Sequence, residues 1–275
     1  MRRGSALFFS GWAGMIVEEP DFTLRLAKDD RDLRAAQRLR YQVFVEELGG
    51  TGAMVDPVNR LERDAFDPLF DHMLLIDRRR DPVELADVVG VYRLLRSDRL
   101  AAGQRFYSED EYDLTPLRSS GRRLLELGRS CVHADYRGGT AMFLLWNGLA
   151  DYVLQHQIEI LFGVASFHGT DIAALAPALS YLHAHHLAPS ALRVTARAAH
   201  LQPMDLVPRD QLDRRAAMAA TPALIKAYLR LGGYVGEGAW IDHAFNTTDV
   251  CLIMDTARMS EKHRAFYLRK SARKP

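Results

Sequence analysis

The sequence predicts an α/β fold in which a mixed, mostly antiparallel central sheet is flanked by helices. Two apolar β-type runs, residues 73–76 and 88–95, are joined by a charged stretch, which favours an antiparallel hairpin. Between residues 124 and 165, a strand pattern, a glycine-rich turn, a helical pattern and a second strand pattern follow one another, which predicts a βαβ unit. The chain has 275 residues, 48% of them hydrophobic, so it can bury a substantial core.

The first predicted helix begins at Asp29 or Asp30, whose carboxylates can cap a helix N-terminus, and runs to about Glu47. Arg40 and Phe44 are four residues apart in this helix and therefore share a face. That face can present a cation beside an aromatic ring.

Residues 124–132 form a predicted strand with Glu126 and Arg129 near its middle. Side chains three residues apart on a regular strand lie on opposite faces. Gly128 lies between them and can introduce a bulge that changes this arrangement.

A helix is predicted after the glycine-rich turn, because apolar residues recur at helical spacing: Met142, Leu145, Trp146, Leu149 and Val153. An apolar strand at 160–165, buried on both faces, follows it. Residues 171–230 are predicted to form a helical insertion. Its last helix is predicted to be capped by Thr221-Pro222, to have Pro222 at its first position and to end at Gly232-Gly233. A late strand is predicted at 250–254.

The predicted organisation is a short leader at residues 1–19, one domain over 20–257 and a basic tail over 258–275. The leader lacks the small-residue cleavage site of a signal peptide, and either Met1 or Met15 can be the translation start. No run reaches the roughly 20 apolar residues needed to cross a bilayer. The tail is rich in Lys and Arg, which would favour contact with an acidic protein or an anionic membrane.

Bulk charge and cysteine content exclude several classes of protein. There are 36 basic and 35 acidic residues, so the net charge of +1 gives no sign of nucleic-acid binding. Two cysteines, Cys131 and Cys251, are too few for a disulfide framework and are typical of a reducing, cytoplasmic setting. His183, His185 and His186 crowd one helix end, where their spacing does not bring three imidazoles together, so no metal site is expected.

An ordered set of mostly charged residues carries the strongest functional signal. The set is, in chain order, Arg40, Phe44, Asp64, Asp67, Arg93, Glu126 and Arg129. This order resembles the N-acyl-homoserine-lactone synthases. Segments 165–171 and 245–250 resemble the ornithine N-acyltransferase family of ornithine-lipid synthesis, so that the resemblance covers roughly residues 33–255.

The resemblance implies a GNAT-like (acyl-CoA N-acyltransferase) fold. It further implies an enzyme that moves a 3-hydroxyacyl chain from acyl carrier protein to the α-amino group of L-ornithine, giving lyso-ornithine lipid. No cofactor would be bound, since the acyl chain arrives on the phosphopantetheine of the carrier protein. Such an enzyme would lie in the cytoplasm or peripherally on the inner face of the cytoplasmic membrane.

Amide formation from a thioester needs a neutral amine and hydrogen-bond donors for the oxyanion. Glu126 is the candidate general base, and the alternative is that it only organises the site. Arg93 and Arg129, the other candidate catalytic residues, are expected to hold aspartates in a network. A backbone N–H near Val132 or His133 is the candidate oxyanion donor. The predicted substrate-binding residues are Arg40, Phe44, Asp64, Asp67, Ser166, His168 and Asp249.

An aspartate left over from the network would suit the side-chain ammonium of ornithine, and Asp64, Asp67 or Asp249 could serve. The loop formed by Arg137, Gly138, Gly139 and Thr140 is predicted to bind the phosphopantetheine phosphate through backbone N–H groups at the helix start. Thr140 stands where acetyltransferases usually have a small residue, which disfavours coenzyme A and suits a carrier-protein donor.

Part of the sequence suggests a different function. Ser166, His168 and Asp171 could suggest a hydrolase, but they lie too close in sequence for a triad, no Gly-x-Ser-x-Gly elbow is present, and Asp171 is predicted to be a helix cap. Three alternatives stay open: the same chemistry on glutamine, lysine or glycine, an acyl-homoserine-lactone synthase, and a non-catalytic module that binds carrier protein or membrane.

Overall fold

The computed structural model describes residues 17–19, 21–53 and 55–258. The predicted leader lies almost wholly outside the described residues, as does the choice between Met1 and Met15 as the start. Of the predicted basic tail, only Arg258 lies within them.

Among the described residues the five predicted strands are present, and seven shorter strands and a one-turn helix at 115–118 were not predicted. The strands are β1 (Val17–Glu19), β2 (Phe22–Leu26), β3 (Asp71–Asp77), β4 (Val88–Arg96), β5 (Tyr112–Asp113), β6 (Leu124–Val132), β7 (Ile160–His168), β8 (Thr195–Ala196), β9 (Leu201–Gln202), β10 (Tyr234–Val235), β11 (Ala239–Asp242) and β12 (Thr247–Asp255). The α-helices are α1 (Asp30–Arg40), α2 (Thr115–Arg118), α3 (Thr140–Gln155), α4 (Ile172–His186), α5 (Arg214–Ala220) and α6 (Ala223–Arg230). The described residues divide into two compact units, one with residues up to 94 and 128–157, the other with 95–127 and 158–258.

In the first unit, β1, β2, β3 and β4 pair antiparallel in that order, and β4 has β6 as its next neighbour. The predicted hairpin is therefore confirmed, with Met73 opposite Tyr92. The N–H of His133, just after β6, donates to the carbonyl oxygen of Val89 at 2.9 Å.

Helices cover both faces of β3 in this unit. Leu74 belongs to the apolar cluster beneath α1, together with Ala35 and Leu39. Met73 and Leu24, by contrast, lie against Gly148 of α3, where an added Cβ would be 2.4 Å from the nearest Leu24 carbon. Because successive strand residues point to opposite faces, α1 and α3 pack on opposite sides of β3.

The first helix begins as predicted and then changes type. The Asp29 side chain accepts the N–H of Asp32 as an N-cap, and α1 ends at Arg40. The chain continues as a π-helix over Tyr41–Glu47, so the predicted unbroken α-helix to Glu47 is wrong after Arg40. Phe44 packs against the apolar cluster beneath α1. Segments of π-helix occur often at functional sites.

In the second unit, β6 pairs parallel with β7 from Leu124 opposite Ile160 to Glu126 opposite Phe162. This confirms the predicted βαβ connection. The next residue on β7, Gly163, has no room for a side chain, because a Cβ there would lie 2.1 Å from the carbonyl oxygen of Leu127. Further antiparallel pairs join β7 to β12, β12 to β11 and β10, and β11 to β9.

The predicted helical insertion is helical only in part. Helices α4, α5 and α6 fall within it, but residues 187–213 form 3-10 turns and the strands β8 and β9. These strands pair with β5 and β11, so tertiary pairing overrides local preference there. Helix α6 begins at Ala223, one residue later than predicted, with Pro222 as its N-cap.

No helix within residues 17–19, 21–53 and 55–258 is both long and apolar enough to cross a membrane.

Candidate active site

Charged residues of the first unit form one buried ion-pair network. Its cations are Arg40 at the end of α1, Arg93 on β4 and Arg129 on β6, and its anions are Glu62, Asp64 and Asp67 from the loop before β3. Arg40 Nη1 lies 2.6 Å from Asp67 Oδ1, and Arg40 Nε contacts Glu62. Arg93 Nη1 lies 2.6 Å from Asp64 Oδ2 and 2.9 Å from Asp67 Oδ1.

Arg129 completes the network from β6. Its Nε lies 3.1 Å from Glu62 Oε1, and its Nη2 lies 3.5 Å from Asp64 Oδ2. The network predicted for Arg93 and Arg129 with the two aspartates is therefore present.

Burial shows which members can meet a substrate. Arg40 and Arg93 are fully buried, and Asp67 is 3% exposed. Both carboxylate oxygens of Asp67 accept hydrogen bonds, since Gln37 Nε2 donates to Oδ2 at 3.0 Å. These placements favour a positioning role for Arg40 and Asp67 over the substrate contact predicted from the sequence.

The formal charges of the network cancel, with three guanidinium groups against three carboxylates. Neither Asp64 nor Asp67 is the spare acidic group that a cationic acceptor would need, because each forms an ion pair with Arg93.

The network shifts the pKa values of its carboxyl groups. Burial raises the pKa of Asp67, but the charge and hydrogen bond of Arg40 and the charge of Arg93 outweigh it, so the pKa lies well below its usual range. Burial likewise raises the pKa of Glu62, and Arg40 and Arg129 bring it below its ordinary value. Burial lowers the pKa of the neighbouring His72, which favours a neutral imidazole at neutral pH.

Acid should therefore weaken the fold through this network. A carboxyl group whose pKa is depressed on folding stabilises the protein above its unfolded pKa of about 4 and loses that contribution as pH falls towards the folded pKa. We expect the free energy of unfolding, measured by urea denaturation, to fall between about pH 5 and pH 2. The slope in Asp67→Asn should be shallower by up to about 1.4 kcal/mol per pH unit. Equal slopes in the two proteins would contradict the prediction.

Three residues of this region were missed by sequence reasoning: Glu62, Gln37 and Phe70. The centre of the Phe70 ring lies 4.2 Å from the Arg93 guanidinium carbon, so Phe70 places an aromatic ring beside a cation, as was expected of Phe44. Glu62 stands in a loop with charged neighbours on its C-terminal side, and its only sequence signal is its closeness to Asp64.

The backbone of β6 is irregular where the predicted bulge was placed, but at a different residue. Arg129 has a φ of +46°, whereas Gly128 is not in the left-handed region. A non-glycine residue in this conformation is uncommon, and such positions cluster at functional sites. The hydrogen bonds and ion pairs of Arg129 hold it there.

Glu126 lies in the second unit and is 1% exposed. Its Oε2 accepts the N–H of Tyr107 at 2.9 Å, and its Oε1 accepts the N–H of Ser108 at 2.6 Å. The carboxylate thus holds the start of the 3-10 turn Tyr107–Asp110. Of the two roles considered for Glu126, this geometry favours the one that organises structure.

The structure brings two predicted substrate-binding residues of the second unit together. Ser166 of β7 lies directly opposite Asp249 of β12, and His168 lies two positions further along β7. Ser166 and His168 are exposed, while Asp249 is buried. Asp171 accepts the N–H groups of Ala173 and Ala174 as the N-cap of α4, as predicted.

The predicted phosphate loop is exposed from Arg137 to Thr140. Gly138 has a φ of +76°, which glycine adopts readily, and Gly139 is the N-cap of α3 without a side-chain hydrogen bond. Arg137 pairs with Glu47, and its Nε donates to the carbonyl oxygen of Val132 at 3.0 Å. Backbone groups rather than Arg137 are therefore best placed to meet an anion.

His133 cannot supply the predicted oxyanion donor, because its backbone N–H is engaged in pairing with Val89. Its ring lies 3.1 Å from the Gln42 amide nitrogen and accepts the N–H of Asp135.

This chain is similar to proteins of a known family. Residues 39–147 match the family model described as an acetyltransferase (GNAT) domain. An L-ornithine N(alpha)-acyltransferase of Rhodobacter capsulatus is 66% identical, over 90% of this chain and 95% of that protein. A protein of the same name from Brucella abortus is 40% identical, over 95% of this chain and 94% of that protein.

Among solved structures, FeeM, an N-acyl amino acid synthase from uncultured soil microbes, superposes with a TM-score of 0.50 at 12% identity, covering 87% of this chain and 93% of that one. This likeness concerns the fold, which is GNAT-like as expected. The relatives cover nearly the whole chain at high identity, and the chain is therefore an acyltransferase that belongs to the L-ornithine N(alpha)-acyltransferase family.

Proposed function

We propose that this acyltransferase moves a 3-hydroxyacyl chain from acyl carrier protein to the α-amine of L-ornithine, giving lyso-ornithine lipid. The observation that supports L-ornithine as the acceptor is the 66% identity, over 90% of the chain, to a protein whose name specifies L-ornithine. This function predicts a location in the cytoplasm or on the inner face of the cytoplasmic membrane.

The donor is inferred from the loop before α3. It is exposed, turns at Gly138 and opens onto a helix start without a side-chain cap, which suits the single phosphate of phosphopantetheine.

The reaction would be a direct transfer. The amine nitrogen bonds to the thioester carbonyl carbon, the carbon–sulfur bond breaks, the amine loses a proton to solvent, and the departing thiolate takes one up. Within this scheme Arg40, Arg93 and Arg129 are positioning residues that hold the loop of Asp64 and Asp67 against β4 and β6. Ser166, His168 and Asp249 are proposed to line the substrate region of the second unit.

The test is mass spectrometry of the product formed by purified protein from 3-hydroxyacyl carrier protein and an equimolar mixture of ornithine, glutamine, lysine, glycine and a homoserine-lactone precursor. We expect a mass increase on ornithine alone, and a weaker reaction when the same acyl chain is supplied on coenzyme A. Product on glutamine would overturn the acceptor. Carrier-protein binding with no product on any acceptor would favour a binding module.

A further inference from the structure

A cavity of about 250 Å³ lies in the first unit and plays no part in the ion-pair network. It is bounded by α1, the π-helical segment, the β3–β4 hairpin and the residue after β6. Its polar lining is formed by Arg38, Gln42, Arg60, Arg80, Glu84 and His133. We call it the arginine cavity.

Two of its arginines lack a carboxylate partner. Arg60 forms an ion pair with Glu46, but within the described part of the chain neither Arg38 nor Arg80 forms one. Arg38 donates from Nη2 to the carbonyl oxygen of Asn59 at 3.0 Å, and its buried Nε has no hydrogen-bond partner among the residues that the structure describes. The guanidinium of Arg80 lies 5.8 Å from the centre of the Tyr136 ring.

The lining also offers one acidic group. Glu84 is exposed and makes no hydrogen bond or ion pair with any described residue. Burial and the nearby Arg80 lower the pKa of the His133 imidazole, which favours its neutral form. The cavity therefore presents two available cations and one available anion to a ligand.

We propose that the arginine cavity binds the acceptor amino acid, with Arg38 and Arg80 holding the α-carboxylate and Glu84 pairing with a side-chain ammonium. This assignment rests on the proposed function. Guanidinium groups bind carboxylates through charge-assisted, often bidentate hydrogen bonds. The volume suits a ligand smaller than the drug-sized molecules that fill pockets of 300 Å³ and above.

Glu84 is the reason why an amino acid, rather than a phosphate, is proposed as the ligand of the cavity. A phosphate would gain from the arginines but would be repelled by the carboxylate, whereas a cationic amino acid uses both. The ion-pair network has no spare acid, and Glu84 supplies one in the same unit. His133 directly follows β6, so the cavity adjoins the end of the strand that carries Arg129.

The test measures dissociation constants by isothermal titration calorimetry of the full chain with three ligands. These are L-ornithine, ornithinamide, which lacks the carboxylate, and L-norvaline, which lacks the side-chain ammonium. Loss of a charge-assisted contact should weaken binding about tenfold or more. We expect wild type to prefer ornithine to both analogues by that factor. Arg38→Gln/Arg80→Gln should lose the preference over ornithinamide, and Glu84→Gln should lose the preference over norvaline.

Arg34→Gln is the matched control, because Arg34 is an exposed arginine of α1 that does not line the cavity. Its dissociation constant for ornithine should stay within about twofold of wild type, and circular dichroism should show every variant folded. Wild-type ornithine affinity in the double arginine variant would overturn the proposal, as would arginine-dependent binding of inorganic phosphate without binding of ornithine. Binding of ornithine that follows these rules without an ornithine product would refute the proposed function and leave the cavity assignment standing.

Discussion

Asp67→Asn is expected to lower the free energy of unfolding by about 3–5 kcal/mol, the usual cost of removing one partner from a buried ion pair. Asp67 Oδ1 accepts hydrogen bonds from both Arg40 and Arg93. Both guanidinium groups are fully buried, and arginine stays protonated in proteins, so their positive charges need a buried partner. Asparagine keeps the shape of the side chain but leaves an uncompensated positive charge in the network. Urea denaturation at pH 7 measures the difference.

The matched control is Asp98→Asn. Asp98 pairs with Arg96 and is 72% exposed, so its loss should cost less than about 1 kcal/mol. If Asp67→Asn were as mild as this control, the network would not be a main source of stability. Acyl transfer should be assayed well below the melting temperature of the variant, so that lost turnover reports on the site rather than on unfolding.

Five strands, β3, β4, β6, β7 and β12, could be predicted because each leaves a strong pattern. The sequences of β3, β4 and β7 are short apolar runs. A pair of glycines lies between β6 and the start of α3. The π-helix at Tyr41–Glu47 left no such signal, since its residues suit an α-helix as well. Strands β8 and β9 were missed because each has two residues and exists only through its pairing partner.

The candidate site could be predicted only in part from the sequence. Arg93 and Asp67 could be expected to meet because the order of charged residues resembles a known family. Glu62 could not, since nothing in the sequence shows that a loop glutamate is 2% exposed and shared by two arginines. A sequence also does not show backbone partners. The sequence alone therefore does not distinguish the two roles of Glu126, whereas its contacts with Tyr107 and Ser108 favour one of them.

Glu126→Gln separates those two roles. Each carboxylate oxygen accepts one backbone N–H, from Tyr107 or Ser108, and a glutamine amide can accept only one of the two. The other backbone N–H would face the NH2 group of the glutamine, which is itself a donor, and would lose its acceptor at a cost of about 1–3 kcal/mol. We expect that loss in unfolding free energy, together with reduced turnover because the 3-10 turn Tyr107–Asp110 shifts.

The dependence of turnover on pH distinguishes a positioning residue from a general base. A base contributes about 10²–10⁴ in rate, and its loss changes the shape of the pH–rate profile, since hydroxide partly replaces it at high pH. If Glu126 positions the turn, Glu126→Gln should lower turnover by the same factor at every pH. Asp110→Asn is the control, because Asp110 lies in the same turn and its ion pair with Arg105 is exposed. A loss of turnover that recovers at high pH, in a variant as stable as this control, would make Glu126 the base.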